Sequence, residues 1–306
     1  MGYTLGKSGL GEEAEFASCH PWVTLLYFAV ILVMSMISLH PVFLILGFSA
    51  ALSYHMLLRG RKGIKFAAAA AIPILVLTMV VNPLFNHRGV TVLFYLNGNA
   101  MTLEAYLYGL AAGTMMVTVI LWFSCFQVIM GPDKFIYLFG RLIPVLGLLL
   151  SMVFRFVPLL KNRFGEIRDG QRGMGMDYGK LRMFKRIRQF AKEFSILIAW
   201  SLEAAIETSD SMEARGYGIH GRTSFHLFQW RKRDIRLLLF FAAAGGLLMA
   251  GAAMGYGDIY YYPAVYDPHP RMRMTALAAV YAVLLWMPFI IDVKGEMRWK
   301  KLSSGI

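Results

Sequence analysis

The chain has 306 residues, of which 58% are hydrophobic, 14% aromatic and only 16% charged. Soluble globular proteins carry about 45–50% apolar and about 25% charged residues, so this composition excludes an ordinary soluble domain and indicates a polytopic membrane protein. The net charge is +13, from 31 lysines and arginines against 18 aspartates and glutamates. The two cysteines form no Cys-x-x-Cys pair, and nothing in the sequence indicates a disulfide framework or a zinc site.

Six stretches of the chain contain no charged residue and approach the length that crosses a bilayer. A spanning helix needs about 20 apolar residues, within a range of about 17–25. The six stretches are Trp22–Leu39, Pro41–Leu58, Phe66–Val81, Ala105–Met130, Leu237–Gly257 and Met274–Ile291. The shortest, Phe66–Val81, has 16 residues and needs flanking residues to complete the crossing. The sequence therefore predicts an all-α membrane protein with about six transmembrane helices.

The basic residues predict how these spans are oriented. Between the second and third spans the chain carries Arg59, Arg61, Lys62 and Lys65. The next connection, 82–104, holds only Arg88 and Glu104, whereas the segment 155–193 holds 11 basic and 4 acidic residues. Lysine and arginine collect on the cytoplasmic side of a membrane. We therefore expect a multi-pass protein of the cell membrane with both termini and the segment 155–193 in the cytoplasm.

These patterns divide the chain into four parts. They are a cytoplasmic N-terminal segment (1–21), a four-span part (22–130), an interfacial and cytoplasmic helical region (131–220), and two C-terminal spans with a basic cytoplasmic tail (221–306). Leu142–Phe154 is apolar but has only 13 residues and contains Pro144 and Gly147, so we expect a slanted or re-entrant helix at the membrane surface. In the connection 82–104, the apolar run before Asn97 predicts a short extended segment and a turn.

Two amphipathic helices are predicted in the basic region. The first has apolar residues at helical spacing, namely Phe156, Leu160, Phe164 and Ile167. The second has an apolar face of Phe184, Ile187, Phe194 and Ile198 opposite a basic face of Arg182, Lys185, Arg186, Arg188 and Lys192. Helices of this kind tend to lie along a membrane surface, and their basic faces suit anionic lipid headgroups better than nucleic acid.

Both amphipathic helices are predicted to end at glycines. Gly173 and Gly175 follow the first, and Gly216 and Gly218 follow the second. One interpretation is a glycine C-cap at each end, with Arg215 stabilising the negative end of the helix dipole. The other is that guanidinium groups at two such ends bind the carboxylates or carbonyl groups of a partner. The sequence leaves both interpretations open.

Residues 155–218 resemble the T component of energy-coupling-factor (ECF) transporters, the membrane subunit shared with the cobalt and nickel uptake permeases. The similarity lies in Arg155-Phe156-x-Pro158-Leu159-Leu160, in Ile167-Arg168-x-x-Gln171-Arg172 and in Ser211-Met212-Glu213-Ala214-Arg215-Gly216-Tyr217. The resemblance implies that Ala214, Arg215 and Gly216 dock one ATPase at the end of a coupling helix. It places the other docking motif on Gly173, Met174 and Gly175, with methionine where arginine is expected.

This departure leaves two alternatives for the first motif. Either the neighbouring Arg172 takes over the docking, or that contact is weakened. The resemblance further implies that Arg155, Pro158 and Glu213 support the coupling helices.

For function, the resemblance implies a non-catalytic subunit of an ATP-driven micronutrient importer, for a vitamin or a metal ion. Its expected partners are two ATP-binding-cassette (ABC) ATPases, a small substrate-binding membrane subunit and the lipid bilayer, with no nucleic acid. ATP hydrolysis is expected in the partner ATPases, so this chain is expected to hold no cofactor, no metal and no catalytic residue. The sequence names neither the substrate nor whether the two ATPases are identical.

Two other function classes were weighed against this one. A membrane enzyme acting on lipid would use Glu203, Glu207, Asp210 and Arg215. The sequence has neither a His-Glu-x-x-His nor a Gly-x-Ser-x-Gly motif, which counts against an enzyme. A secondary transporter with its own substrate site would need charges or broken helices at mid-membrane. The six apolar stretches contain no charged residue, which counts against a secondary transporter.

Overall fold

A computed structural model describes residues 14–96, 98–142, 144–175, 183–217, 228–266 and 271–303. Its helices are α1 (Pro21–Ile37), α2 (Pro41–Phe85), α3 (Leu103–Ile129), α4 (Pro132–Leu142), α5 (Pro144–Gly173), α6 (Met183–Ala214), α7 (Lys232–Ala253) and α8 (Arg271–Ser303). A 3-10 turn at Glu15–Ser18 precedes α1, and the strands β1 (Val92–Leu96) and β2 (Asn99–Thr102) form one hairpin. The predicted all-α class is confirmed.

The predicted spans correspond to six apolar helical segments. Within the described residues, five segments are long and apolar enough to cross a membrane: Pro41–Gly60, Gly63–Phe85, Leu103–Ile129, Lys232–Ala253 and Met272–Leu302. The sixth, Pro21–Ile37, is apolar but shorter, at 17 residues. The segment with the shortest charge-free stretch extends to 23 residues as Gly63–Phe85. Its flanking residues therefore provide the missing length.

The connection between the second and third spans is a kink inside α2, not a loop. Gly60 has φ 57° and ψ −144°, which breaks the helix geometry between Pro41–Gly60 and Gly63–Phe85. Glycine adopts this backbone conformation without the steric penalty of a Cβ atom. The Arg59 guanidinium lies 5.6 Å from the centre of the Phe66 ring, so this contact bridges the kink. Arg59 and Lys65 therefore lie on either side of a sharp bend.

The chain forms two compact units, residues 1–134 with 228–306, and residues 135–227. In the first unit α3 packs against both halves of α2. Gly47 approaches Thr118, and the Tyr54 and Trp122 rings lie 6.1 Å apart, so the first half of α2 runs parallel to α3. In the second half, the Asn82 amide donates a hydrogen bond of 2.6 Å to the carbonyl of Ala105, near the start of α3. The second half of α2 thus runs antiparallel to α3, as alternating spans require.

The spans of the first unit end at two opposite faces. We call the face where the kink lies the Gly60 face; there the Asp292 carboxylate of α8 accepts hydrogen bonds from the Phe16 backbone (2.6 Å) and the Tyr54 hydroxyl (2.9 Å). We call the other face the hairpin face, because it carries β1 and β2. On the hairpin face, the Tyr261 hydroxyl donates a hydrogen bond of 2.8 Å to the carbonyl of Leu39.

The core of the first unit is aromatic. Phe16, Tyr27, Phe28, Trp122 and Phe241 are each 0% exposed. Phe16 lies edge-on to Tyr27 with ring centres 5.2 Å apart, an arrangement that aromatic rings favour. The segment before α1 is thus held inside the bundle.

The hairpin confirms the extended segment and turn that were predicted in the connection 82–104. Leu96 pairs with Asn99, and Gly98 has φ 84°. Asn97, the other turn residue, lies outside the described residues. Glu104 lies just after the hairpin, 4% exposed, and accepts a hydrogen bond of 3.1 Å from the Thr91 backbone.

The second unit consists mainly of α4, α5 and α6. In this unit α4 ends at Leu142 and α5 begins at Pro144, so a helix boundary lies at the start of the apolar stretch Leu142–Phe154 and the rest of the stretch belongs to α5. Pro144 begins α5, a position where its missing N–H needs no partner, and the helix continues to Gly173. Gly147 lies against Gly140, where a Cβ atom would overlap the Gly140 backbone. Glycine is therefore required here for the close approach of α4 and α5. A surface location in the membrane stays a prediction.

Candidate functional site at two helix ends

The end of α6 is a glycine cap built from the predicted motif. Gly216 has φ 74°, in the left-handed region that glycine tolerates best. The Tyr217 N–H donates to the Met212 carbonyl at 3.0 Å, and the Gly216 N–H donates to the Glu213 carbonyl at 2.9 Å. These two bonds form a Schellman motif, which satisfies carbonyl groups at a helix end. Gly218, also predicted to close this helix, lies outside the described residues.

The end of α5 shares the left-handed glycine and one of the two hydrogen bonds of this cap. Gly175 has φ 84°, and its N–H donates to the Arg172 carbonyl at 2.9 Å. That bond corresponds to the bond from Gly216 to Glu213 at the other end. In both helices the residue before the left-handed glycine is the C-cap residue, Met174 in α5 and Arg215 in α6. The cap geometry therefore aligns Gly173-Met174-Gly175 with Ala214-Arg215-Gly216.

Both ends are open to solvent in the isolated chain. Met174 is 65% exposed, and Arg215 is also exposed. Each side chain belongs to the residue that directly follows the last residue of its helix. Chemically, Arg215 offers five N–H donors in a planar fork, whereas Met174 offers a flexible apolar thioether.

Arg172 is the other residue at this end for which a docking role was predicted. It lies two residues before Met174, and its guanidinium pairs with the Asp169 carboxylate on the same helix at 3.7 Å. Two residues along a helix correspond to a rotation of about 200°. Arg172 thus lies on a different side of α5 from the C-cap residue.

Helices α5 and α6 are joined by both polar and aromatic contacts. The Gln189 side chain donates a hydrogen bond of 3.0 Å to the Gln171 side chain. Gln189 is 6% exposed, and Glu193, one turn later in α6, is 0% exposed. Phe164 packs edge-on against Phe190, with ring centres 5.7 Å apart. Buried polar groups need such partners. Only the packing shows that Gln189 and Glu193 point inward, because the helical pattern placed them beside a basic face.

The supporting residues lie along α5 and α6. Arg155 and Pro158 are exposed on α5, and Pro158 removes one backbone hydrogen bond without ending the helix. Glu213 is exposed and contributes its carbonyl to the cap of α6. The Arg163 guanidinium stacks over the Trp200 ring at 4.9 Å, a cation–π contact between the two helices that the sequence did not predict.

The carboxylates of the alternative enzyme site do not converge. Glu203, Glu207 and Asp210 are exposed and follow one another along α6. Within the described ranges, no three acidic, histidine or cysteine side chains lie close enough together to hold a metal ion. These carboxylates therefore form a charged surface of one helix.

Two carboxylates that were not predicted to be buried lie at the ends of the spans. Asp292 follows the last apolar stretch directly and Glu104 precedes the fourth directly, so neither was counted inside a stretch. The structure buries both, with Asp292 1% exposed. Each carboxylate accepts backbone hydrogen bonds from a neighbouring segment. Both are therefore satisfied as parts of the fold.

Residues 17–226 match the family described as cobalt transport protein, CbiQ. The chain belongs to this family. The match covers α1 to α6 and includes both glycine-capped ends. Among its relatives are proteins named energy-coupling factor transporter transmembrane protein EcfT, and the family assignment confirms the resemblance found in residues 155–218.

Several relatives share about a third of their residues with the chain over the aligned parts. The protein from Lactobacillus helveticus is 37% identical over 34% of this chain and 38% of its own length. The protein from Listeria monocytogenes, named EcfT 1, is 35% identical over 29% of this chain and 34% of its own length. The protein from Listeria innocua is 33% identical over 39% of this chain and 44% of its own length. The chain thus aligns with less than half the length of each of these relatives.

Proposed function

We propose that the chain is the membrane coupling subunit of an ATP-driven importer. In this proposal the ends of α5 and α6 dock two ABC ATPases, and the helices pass the movement of those ATPases to a small substrate-binding membrane subunit. The cargo is a micronutrient, either a vitamin or a metal ion. Hydrolysis of ATP takes place in the partners, so the chain itself is non-catalytic.

The proposal is carried by the pair of exposed helix ends with one shared cap geometry. Structural glycine caps alone do not require exposed C-cap side chains at both ends. Met174 and Arg215 are the exposed residues of these two ends. Two equivalent projections on two helices that pack together are what docking to a pair of related subunits needs. Membership of the cobalt transport protein family and the names of the EcfT relatives support the same role.

Helix α6 is suited to transmit movement because it is one uninterrupted helix of 32 residues without proline. At about 1.5 Å per residue it is about 48 Å long. The buried contact between Gln171 and Gln189 links it to α5, so a force applied to one end is shared by both helices. Rotation of the ATPases would thus move the pair together.

The apolar surface of α6 is proposed to meet the membrane and the substrate-binding subunit. Along α6, Phe184 is 89%, Ile187 61%, Leu202 62% and Ile206 64% exposed. Large exposed apolar surfaces are typical of interaction sites. A small substrate-binding membrane subunit offers the apolar counterpart that this surface needs.

The charge distribution supports an orientation with the Gly60 face in the cytoplasm. Arg59 and Lys65 flank the kink, and the basic tail of α8 ends with Lys300 and Lys301. By the positive-inside rule these groups stay on the cytoplasmic side. Both termini then lie in the cytoplasm of the cell.

The test is a pull-down of the tagged full chain from mild-detergent membranes, with wild type beside Arg215→Glu. We expect two ABC ATPase subunits and a small membrane protein with the wild type, and fewer ATPase subunits with Arg215→Glu. The matched control is Lys192→Glu, the same charge reversal at another exposed position of α6. Wild type that purifies without ATPases in several detergents would refute the proposed function.

A further inference from the structure

The hairpin of β1 and β2 lies in an uncharged stretch between two spans. Residues 89–103 contain no aspartate, glutamate, lysine or arginine. Every residue of β1 is exposed. In and just before this strand, Val90 is 70%, Leu93 52% and Tyr95 71% exposed. Loops in water are normally polar, so an exposed apolar surface of this kind is typical of an interaction site.

Both faces of β1 are apolar. Successive side chains of a strand point to opposite faces, so Tyr95 lies on one face and Phe94 and Leu96 lie on the other. Phe94 is 46% and Leu96 is 49% exposed. An antiparallel sheet with one face in water alternates apolar and polar residues, and β1 does not. Neither face of β1 therefore has the composition of a surface in bulk water.

The exposed surface of the hairpin continues that of the two adjoining spans. Only 6% of the most apolar stretch of Gly63–Phe85 is buried, against 33–50% in the other four long segments. Phe85, which ends α2, is 84% exposed, and Leu103, which begins α3, is 42% exposed. In a membrane protein such apolar span surfaces face lipid. The hairpin connects these two surfaces, so the bilayer is its nearest apolar neighbour.

The backbone of the hairpin limits how deep it can lie. In the described part of the chain its sheet has two strands, so one edge of each strand is unpaired. In the hydrocarbon core such an edge would leave N–H and C=O groups without partners. The headgroup region supplies water to these groups, and it is also the depth at which tyrosine is enriched. The hairpin therefore fits the headgroup region and not the hydrocarbon core.

The base of the hairpin is fixed to α3 by hydrogen bonds. The Leu103 N–H donates to the Thr91 carbonyl at 3.0 Å, and the Thr91 N–H donates to the Glu104 carboxylate at 3.1 Å. The Thr102 hydroxyl donates to the Arg88 carbonyl at 3.2 Å. A hairpin held at the membrane surface thus also sets the depth of α3.

We infer that the hairpin is a membrane-surface anchor, whose apolar side chains insert among the lipids at headgroup level in the leaflet on the hairpin face. The occupant of this surface is lipid, and not a second copy of the chain or another protein. The inference is independent of the proposed function, because it requires only that the spans cross a bilayer. It places a fixed point opposite the Gly60 face, beside the least buried of the five long spans.

The experiment measures the depth of the hairpin with the environment-sensitive fluorophore NBD. Single cysteines are introduced into the full chain by Phe94→Cys and Tyr95→Cys, one on each face of β1. The chain is reconstituted in nanodiscs of phosphatidylcholine and phosphatidylglycerol. The native Cys19 and Cys125 are buried, so the label attaches to the introduced thiol.

Two further labelled variants provide the reference depths. Val76→Cys lies near the middle of Gly63–Phe85 at a position that is 57% exposed, and it reports the lipid core. Asp258→Cys is exposed in the loop after α7, on the same face as the hairpin, and it reports water. Circular dichroism checks that each variant keeps the helix content of wild type.

Both hairpin labels should emit at shorter wavelength than the label at Asp258→Cys and should be quenched less by aqueous iodide. Lipids that carry a spin label near the headgroup should quench them more than lipids labelled near the chain end. The label at Val76→Cys should show the opposite preference.

Three outcomes would overturn the inference. The first is iodide quenching at either hairpin position as strong as at Asp258→Cys. The second is a label that is shielded from iodide but unaffected by spin-labelled lipid, which would show that protein covers the hairpin. The third is stronger quenching from the chain end, which would place the hairpin in the hydrocarbon core. None of these outcomes bears on the pull-down of ATPases, so failure of this inference and failure of the proposed function are distinguishable.

Discussion

Replacing Gly216 by alanine should loosen the docking end of α6 without unfolding the protein. Gly216 has φ 74°, where an alanine Cβ atom crowds the backbone at a cost of about 1–2 kcal/mol. That cost falls on a cap held by two hydrogen bonds, of 3.0 Å to Met212 and 2.9 Å to Glu213. Each contributes about 0.5–1.5 kcal/mol net, so the penalty is comparable to the free energy that holds the cap closed.

This change in free energy can be measured as a change in how often the cap is open. A change of one or two kcal/mol alters the open fraction of the cap by a factor of about 5–30. Amide hydrogen exchange at Tyr217, whose N–H closes the cap, should accelerate by that factor in Gly216→Ala. Exchange at Tyr217 in Gly216→Asn should be faster than in wild type and slower than in Gly216→Ala, because asparagine tolerates the left-handed conformation better than alanine. ATPase binding should weaken in the same order.

A matched glycine elsewhere separates the cap effect from a general effect of alanine. Gly165 lies inside α5 and an added Cβ atom there would meet open space. Gly165→Ala should stabilise that helix by up to about 1 kcal/mol and leave exchange at Tyr217 unchanged. Unaltered exchange in Gly216→Ala, or equal acceleration in both variants, would refute the reasoning.

Two further predictions concern the first unit. A Cβ atom at Gly109 would lie 2.7 Å from the Thr78 carbonyl oxygen, so Gly109→Ala should lower the stability by about 1–3 kcal/mol. In the control Gly246→Ala the added Cβ atom has no neighbour within 4 Å, so the melting temperature in detergent should change little. An equal fall in melting temperature in both variants would contradict this explanation. The second prediction concerns Lys134, which is 6% exposed and whose Nζ has no hydrogen-bond partner among the described residues. Burial lowers the pKa of Lys134 from 10.5 to about 8. Because the unfolded chain binds more protons between those values, stability should rise with pH above about 8. Burial raises the pKa of Cys19 from 9.0 to about 11, which opposes the rise at higher pH, so melting temperatures should be compared at pH 8 and 9. Lys134→Met should abolish the rise, and a rise that persists in that variant would assign it to another group.

The sequence by itself determined the features that depend on neighbours along the chain. Charge-free stretches of bilayer length predicted the six apolar segments, because a helix in lipid satisfies its own backbone groups. The spacing of the apolar residues between Phe184 and Ile198 predicted α6. Gly216 predicted its end, because few other residues adopt the left-handed conformation cheaply.

Tertiary structure decided the features that depend on residues far apart. Phe16 and Asp292 are 276 positions apart, and no local pattern indicates that their hydrogen bond holds the first segment in the bundle. Gly147 lies inside α5, and only the packing shows that it allows the close approach of Gly140. The spacing of apolar residues and the position of a glycine depend on the local backbone, so they can be interpreted from the sequence. Burial and close packing depend on which surfaces the folded chain brings together.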